Sequence, residues 1–430
     1  MIKLVNAGNI AKNKQIMTKL SLCLILLIDS FCIGFIMPSL ANLLLNPGKS
    51  FLGTQTSLSL RHFYYNLGIS LPTVFICFGA LIIGALSDFI GRKLSLLISL
   101  SGIALSCLFS AVGVNAHSIL LFLVGRILMG IMDGNEAVAQ ACIAEISHAE
   151  NKTINMSYLS LSISLGFILG PLFSTILNQT SHSFLINPSL PFYLSALALF
   201  FVFIFTICFF KFPARKIIND RQHIFSNVFQ CCITAIKSEY VRPIILILFC
   251  IQVAWGIYFQ SASAYFVNTF NPPYSATSHF FLVMAVTFVL TFTVLLRLAV
   301  RYFNSYYLIS AGLVLINLSA SILLTARSYH SIYDACITVS MGVGISYNTI
   351  LALISNKTDQ GSQGQAMGLS LSFMSAGWIV ALILSSIFST NYKFCFTLMI
   401  VFCMCAFYQL FKYIKISKSS QSTSTIRDFS

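Results

Sequence analysis

Apolar runs separated by short polar breaks dominate the chain. Six of them lie near residues 20–44, 65–86, 94–114, 118–143, 154–177 and 190–210, and six more near 243–267, 279–300, 306–326, 332–355, 366–389 and 392–411. A helix needs roughly 20 residues to cross the hydrocarbon of a bilayer, and each run reaches that length. The pattern therefore predicts an all-α membrane protein with twelve transmembrane helices. The basic, polar stretch 211–242 divides them into an N-terminal six-helix bundle over 1–210 and a C-terminal one over 243–412, followed by a Ser-, Thr- and Lys-rich tail over 413–430 that reads as disordered. Part of the stretch from Phe212 to Phe229 mixes apolar and basic residues and reads either as an interfacial amphipathic helix or as a plain linker. The first sixteen residues carry Lys3, Lys12 and Lys14 like a signal-peptide head, but the run that follows is too long for a cleaved signal and reads as the first span.

Composition supports this class. Hydrophobic residues make up 57% of the chain and charged residues 8%, with a mean hydropathy of +0.87. The net charge of +14 is topology rather than nucleic-acid binding. With a cytoplasmic N-terminus, twenty of the 25 lysines and arginines fall in cytoplasmic segments and only Lys49, Arg61, Arg327 and Lys393 fall outside. That asymmetry places both termini in the cytoplasm, in the plasma (inner) membrane for a bacterial protein. The thirteen cysteines form no CxxC and have no His or acid at ligand spacing, so they read as small apolar residues without disulfide or metal. No nucleophile triad, metal cluster or phosphate loop suggests an enzyme.

Four charges interrupt the spans: Asp29, Arg126, Asp133 and Glu136, all in the first half. Charge in hydrocarbon is expensive and usually marks a pathway or a relay. All seven histidines lie in loops or at span ends, so a proton relay would have to use carboxylates. Read as one continuous fourth helix, the sequence puts Arg126 and Asp133 on one face about 10 Å apart along the axis, with Glu136 a turn further. Burial favours the neutral form of a carboxyl and a nearby guanidinium favours its ionised form, so an acid balanced between them can load and release a proton. A static ion pair that fixes helix packing is the other reading of the same residues.

Between spans two and three lies Gly84-Ala-Leu-Ser-Asp88-Phe-Ile-Gly91-Arg92-Lys93. The glycines suit tight turns and close helix approach, Asp88 can accept from helix N-terminal amides or a base, and Arg92 and Lys93 mark the cytoplasmic side. The spacing resembles the loop between helices two and three of the major facilitator superfamily of secondary transporters. The second half keeps Arg297 and Arg301 at the corresponding place but not the Gly and Asp. Asp29 lies in Leu27-Ile-Asp29-Ser-Phe-Cys-Ile-Gly34-Phe-Ile-Met-Pro38, which resembles the first span of drug:proton antiporters, the tetracycline exporters above all. Gly125-Arg126-Ile-Leu-Met-Gly130 resembles the span-four motif whose Arg is implicated in proton transfer, and Glu145 stands where the family has an acid that pairs with the Gly-Asp loop. Leu165-Gly166-Phe-Ile-Leu-Gly170-Pro171 resembles the fifth-span antiporter motif. Its glycines, one turn apart, allow close helix contact, and its proline removes a backbone hydrogen bond.

The resemblance implies two pseudo-symmetric bundles that rock about a site near the membrane midplane. It also implies proton-driven export of a lipophilic, drug-like compound, powered by the proton gradient without a cofactor. Trp255, Tyr258, Gln260, Asn348 and Trp378 are the cavity candidates. A proton-coupled importer of a metabolite or siderophore shares the fold, and a non-transporting membrane sensor is the third class. The expected partners are a small-molecule substrate and the lipid bilayer, with no nucleic acid, around a monomer.

Overall fold

The structure, a computed structural model, describes all residues except 1, 46–51, 53–55, 182–188, 213–238, 240, 271–273, 329, 389–390 and 428–430. Most of the 211–242 stretch, with its proposed interfacial segment, therefore lies outside the described residues. The rest is helical: α1 (Ile2–Leu45), α2 (Leu58–Ile90), α3 (Arg92–Asn115), α4 (Ile119–Met132), α5 (Asn135–Ile146), α6 (Lys152–Ser181), α7 (Leu190–Phe209), α8 (Val241–Phe270), α9 (Tyr274–Leu290), α10 (Leu296–Tyr302), α11 (Ser305–Thr325), α12 (His330–Asn356), α13 (Gln363–Ile387) and α14 (Tyr392–Arg427). A single π-helical stretch, Thr291–Leu295, joins α9 to α10. Eleven of these segments are long and apolar enough to cross a membrane, so the protein is an integral, multi-pass membrane protein.

The chain forms two compact units. One holds Met1–Ser147, Tyr158–Ile224 and Gln360–Ser372; the other holds His148–Ser157, Phe225–Asp359 and Phe373–Ser430. In the first unit, α6 crosses α1 at almost backbone-to-backbone distance. A Cβ on Gly170 would come within 2.6 Å of Phe31 O and Phe35 N, one on Gly166 within 2.7 Å of Phe31 N, and one on Gly34 within 3.0 Å of the Pro171 ring. Small residues at such a crossing allow the van der Waals contact that drives helix association in lipid. The three glycines therefore seat the fifth-span motif directly on the turn of α1 that carries Asp29.

The fourth apolar run is not one helix. It breaks at Asp133–Gly134 into α4 and α5, and this is why eleven rather than twelve segments reach spanning length. Asp-Gly is a turn-forming pair, and Gly134 packs against Ile83 of α2 with no room for a side chain. Backbone groups freed at the break need partners inside the membrane. The Gly134 N–H donates to the Met132 carbonyl at 2.9 Å, and the Ser99 hydroxyl of α3 joins both groups: it donates to that carbonyl and accepts from the Gly134 N–H at 3.3 Å. Consequently the expectation that Arg126 and Asp133 share the face of one helix does not hold.

Two further expectations change. The segment Gly84–Lys93 is not a loop: α2 continues to Ile90, α3 starts at Arg92, and the reversal is Gly91 alone. With φ 93° and ψ 154°, Gly91 occupies a region open essentially to glycine only. The tail from 413 is not disordered as far as Arg427; α14 runs through it, and Tyr413 is buried. Extending a helix from a packed span adds a hydrogen bond per residue without a new nucleation cost, which outweighs the weak propensity of Ser and Thr.

Candidate functional site

Two clusters of buried polar residues in the first unit hold the candidate site residues. The first gathers at the α2–α3 reversal. Because Gly91 turns the chain within one residue, Asp88 in the last turn of α2 and Arg92 in the first turn of α3 come side by side. Arg92 NH2 donates to Asp88 Oδ1 at 2.7 Å. The same guanidinium contacts Glu145 Oε1 at the end of α5 and Ser87 Oγ. Asp88 is 3% exposed and Arg92 4%, a depth at which a lone charge would be costly, so their pairing is what makes burial tolerable. The Asp88 carboxylate also accepts from two backbone amides at the start of α13, Gly364 N at 3.1 Å and Gln365 N at 2.8 Å. These donors have no partner within their helix, and an anion there also meets the positive end of the helix dipole. Gly84 serves this contact by close approach: a Cβ on it would lie 3.0 Å from Gly368 Cα. Lys93 donates to the Ile207 carbonyl near the end of α7 at 2.7 Å.

The second group lies deeper, where α1, α3, α4 and α5 meet. Asp29 is 5% exposed. Asn135, the first residue of α5 and fully buried, donates from Nδ2 to Asp29 Oδ2 at 3.1 Å. Among the described residues, Asp29 Oδ1 and Asn135 Oδ1 have no hydrogen-bond partner. Asp133, half-buried at the break, is within electrostatic reach of both Asp29 and Glu136. Glu136 accepts from Gln140 Nε2 at 2.8 Å. The structure thus brings three acids together around the broken fourth run.

Arg126 is buried but does not pair with these acids. Its Nε donates to the Gly68 carbonyl of α2 at 2.9 Å, NH1 lies 3.4 Å from Met129 Sδ, and the guanidinium sits over the Phe122 ring at 5.9 Å. Among the described residues the ion pairs are those of Arg92 with Asp88 and Glu145. Residue types explain the difference. A guanidinium in a tight interior takes the backbone carbonyl that geometry offers, and the break at Asp133 turns the acid away from its row.

In the second unit, Trp255 stacks on Tyr258 at 5.8 Å and meets Phe288 edge-on at 5.5 Å. Phe259 contacts Trp378 at 5.6 Å, and Trp378 Nε1 donates to Gln252 Oε1 at 3.2 Å. Tyr258 and Asn348 are fully buried, with Asn348 Nδ2 on the Gly344 carbonyl of its own turn at 3.1 Å. Trp255, Gln260 and Trp378 keep partial or marginal exposure. Sequence reasoning passed over Asn135, Gln252, Ser99, Gly364 and Gln365. An Asn directly after an Asp-Gly pair inside an apolar run was the available signal for the first. The two amides of α13 carry none.

The described residues make a multi-pass helical membrane protein with buried, mutually paired charges. The chain belongs to the Major Facilitator Superfamily, whose profile matches residues 22–382. It is 31% identical over 188 residues to the class H tetracycline resistance protein of Pasteurella multocida, a stretch covering 44% of this chain and 43% of that protein. It is 26% identical over 316 residues to the quinolone resistance protein NorA of Staphylococcus aureus, covering 72% of this chain and 76% of that one. The match to the class H protein thus spans less than half of that relative's length. In fold it is similar to the human organic anion transporter MFSD10 (TETRAN), with a TM-score of 0.74 at 18% identity over 92% of this chain and 99% of that one.

Proposed function

We propose that this protein is a proton-coupled antiporter that exports a lipophilic, drug-like compound by alternating access. The observation that carries the reading is Asp29. It is a buried carboxyl in the first span with no cation within ion-pair distance among the described residues, beside two further acids. Such a group is held more easily neutral than charged, so its ionisation can be tied to a change of conformation. Export needs a carboxyl that holds either a proton or a charge that substrate stabilises, but not both, and protonation then biases which face is open. Asp29 is the coupling acid, with Asp133 and Glu136 as further carriers; Arg126 acts on the same step as a fixed charge at longer range. The α1–α6 contact built by Gly34, Gly166, Gly170 and Pro171 supports antiport, because it ties the antiporter-type helix to the turn of Asp29. The Asp88–Arg92–Glu145 clasp is the cytoplasmic gate, and the aromatics around Trp255 and Trp378 supply apolar substrate contacts.

In this reading α4 and α5 together make one interrupted span. Twelve spans then form two pseudo-symmetric six-helix bundles, 1–210 and 243–412, with both termini in the cytoplasm and the monomer as the working unit. The proton gradient is the energy source. Reconstituted vesicles with an imposed pH gradient, tested over a panel of lipophilic cations, neutral drugs and organic anions, decide the matter. Accumulation of a compound against its gradient, driven by opposite proton flow, is the expected result. Proton and substrate moving in the same direction would make the protein an importer instead.

A further inference from the structure

The contact between Asp29 and Asn135 is half made. One hydrogen bond, from Asn135 Nδ2 to Asp29 Oδ2, spans 3.1 Å. The other oxygen of each group, Asp29 Oδ1 and Asn135 Oδ1, is buried without a hydrogen-bond partner among the described residues. Two buried acceptors without a donor, on groups already joined by one hydrogen bond, are costly. A single hydrogen satisfies both: a proton on Asp29 Oδ1 donates to Asn135 Oδ1 while the carboxamide N–H continues to donate to Oδ2. A carboxylic acid and a primary amide match in this way because each carries one donor and one acceptor on adjacent atoms. When Asp29 loses the proton to solvent, both oxygens are acceptors only, and the contact falls back to one bond or opens. Asn135 itself neither gains nor loses a proton.

We infer that Asn135 is a positioning residue that senses the protonation of Asp29, closing a two-hydrogen-bond carboxyl–carboxamide ring when the acid is neutral and loosening it when the acid ionises. The inference rests on the proton-coupled reading above. Its consequence follows from where Asn135 stands. It is the first residue of α5, immediately beyond the break, so α5 can shift as a short rod without unwinding α4. The far end of that rod, roughly 15 Å away at 1.5 Å per residue, carries Glu145 on Arg92. A change at Asp29 thereby reaches the Asp88 clasp along one helix.

Other titratable groups act on Asp29 and are candidates to blur this signal. Asp133 at the break and Cys107 of α3 interact with it electrostatically, as does Cys32 of its own helix. Glu136 of α5 acts on Asp133, and Arg126 of α4 acts on Cys107. At this crossing α6 presents glycines to α1 and α7 presents the Ser195 carbonyl to Cys32. Of these groups, the carboxamide of Asn135 alone hydrogen-bonds the Asp29 carboxyl.

Infrared difference spectroscopy on the full chain in lipid vesicles, stepped between acid and alkaline pH, tests this. The wild type should show a protonated-carboxyl C=O band that Asp29→Asn removes. In Asn135→Leu the band should persist but move to higher wavenumber, since the carboxyl has lost both its donor and its acceptor. Asn135→Ser, which keeps one small hydroxyl, should give a smaller shift and serves if the leucine variant does not fold. A wild type with no band removed by Asp29→Asn overturns proton loading at Asp29 and the ring with it. A band present but unmoved in the Asn135 variants overturns the ring alone and leaves proton coupling at Asp29 standing.

Discussion

The Asp88 carboxylate accepts from the backbone N–H of Gln365 at 2.8 Å across 277 positions of sequence. The same carboxylate takes the Arg92 guanidinium at 2.7 Å. One buried acid therefore satisfies the start of α13 and the start of α3 together, and its charge is what both contacts require.

Replacing that acid separates charge from shape. Asp88→Asn keeps the size, but its amide nitrogen cannot accept from the N–H it then faces, and the neutral side chain leaves Glu145 as the one acid paired with Arg92 among the described residues. Breaking a buried pair costs about 3–5 kcal/mol. We expect a lower thermal midpoint in detergent and a fall in transport turnover larger than the loss of substrate affinity. Wild-type turnover at equal expression would show that the clasp has no part in the cycle.

The turn at Gly91 makes a cleaner prediction, because nothing lies within 4 Å of a Cβ built there. Any penalty for Gly91→Ala is therefore backbone strain alone, about 1–3 kcal/mol at this φ and ψ. Gly91→Ala and Gly91→Ser should be destabilised by similar amounts in thermal unfolding. A cost that grows steeply with side-chain size would point instead to crowding.

At the α1–α6 crossing the opposite holds: space, not dihedral angle, is limiting. A Cβ on Gly170 would sit 2.6 Å from backbone atoms of Phe31 and Phe35, and backbone yields less than a side-chain tip. Gly170→Val should separate the two helices and abolish both folded yield and transport, and Gly170→Ala should already lower the unfolding midpoint. Gly34→Ala meets the Pro171 ring at 3.0 Å and should be milder. Equal tolerance at both glycines would contradict the close crossing.

Much of the architecture was readable because apolar run length is nearly all that a membrane helix requires: eleven of the runs map onto segments of spanning length, and the fourth onto two shorter helices. The motif G-x-x-x-D-x-x-G-R-K named Asp88 and Arg92, and the structure brings them together with Glu145. What sequence could not show is how backbone groups are satisfied at a distance. The break at Asp133–Gly134 is mended by Ser99, 33 residues earlier, and no side-chain periodicity encodes that. Arg126 was read by its charge, yet it is held by the Gly68 carbonyl, an acceptor every residue carries. Asn135 escaped notice because it is uncharged, although it is the hydrogen-bond partner of the buried acid of α1.

Topology can be tested independently of the site. The excess of lysine and arginine in alternate loops predicts that both termini lie in the cytoplasm. A fluorescent reporter that matures only in the cytoplasm, fused after Ser430, should glow, and an alkaline phosphatase fused there should stay inactive. The reverse pattern would invert the whole assignment and place the Asp88 clasp on the outer face.

The coupling acid gives the most demanding test. Asp29→Asn has nearly the same volume as the carboxyl, is neutral at every pH, and can still accept from Asn135 Nδ2 through its carbonyl oxygen, so the fold should survive. What it lacks is a removable proton. If Asp29 couples the proton gradient to transport, the variant should lose gradient-driven accumulation in inverted vesicles by at least about tenfold, a loss of about 1.4 kcal/mol or more of driving coupling. It should still bind substrate and exchange it between the two sides at equal pH, with a rate that no longer depends on pH across the range where the wild type changes. Asp29→Glu keeps a proton carrier but displaces it by one methylene, and should retain partial pH-driven transport. A variant Asp29→Asn that accumulates substrate as well as the wild type moves the proton site to Asp133 or Glu136, the two acids that share its surroundings, and the same pair of measurements on Asp133→Asn and Glu136→Gln then identifies which.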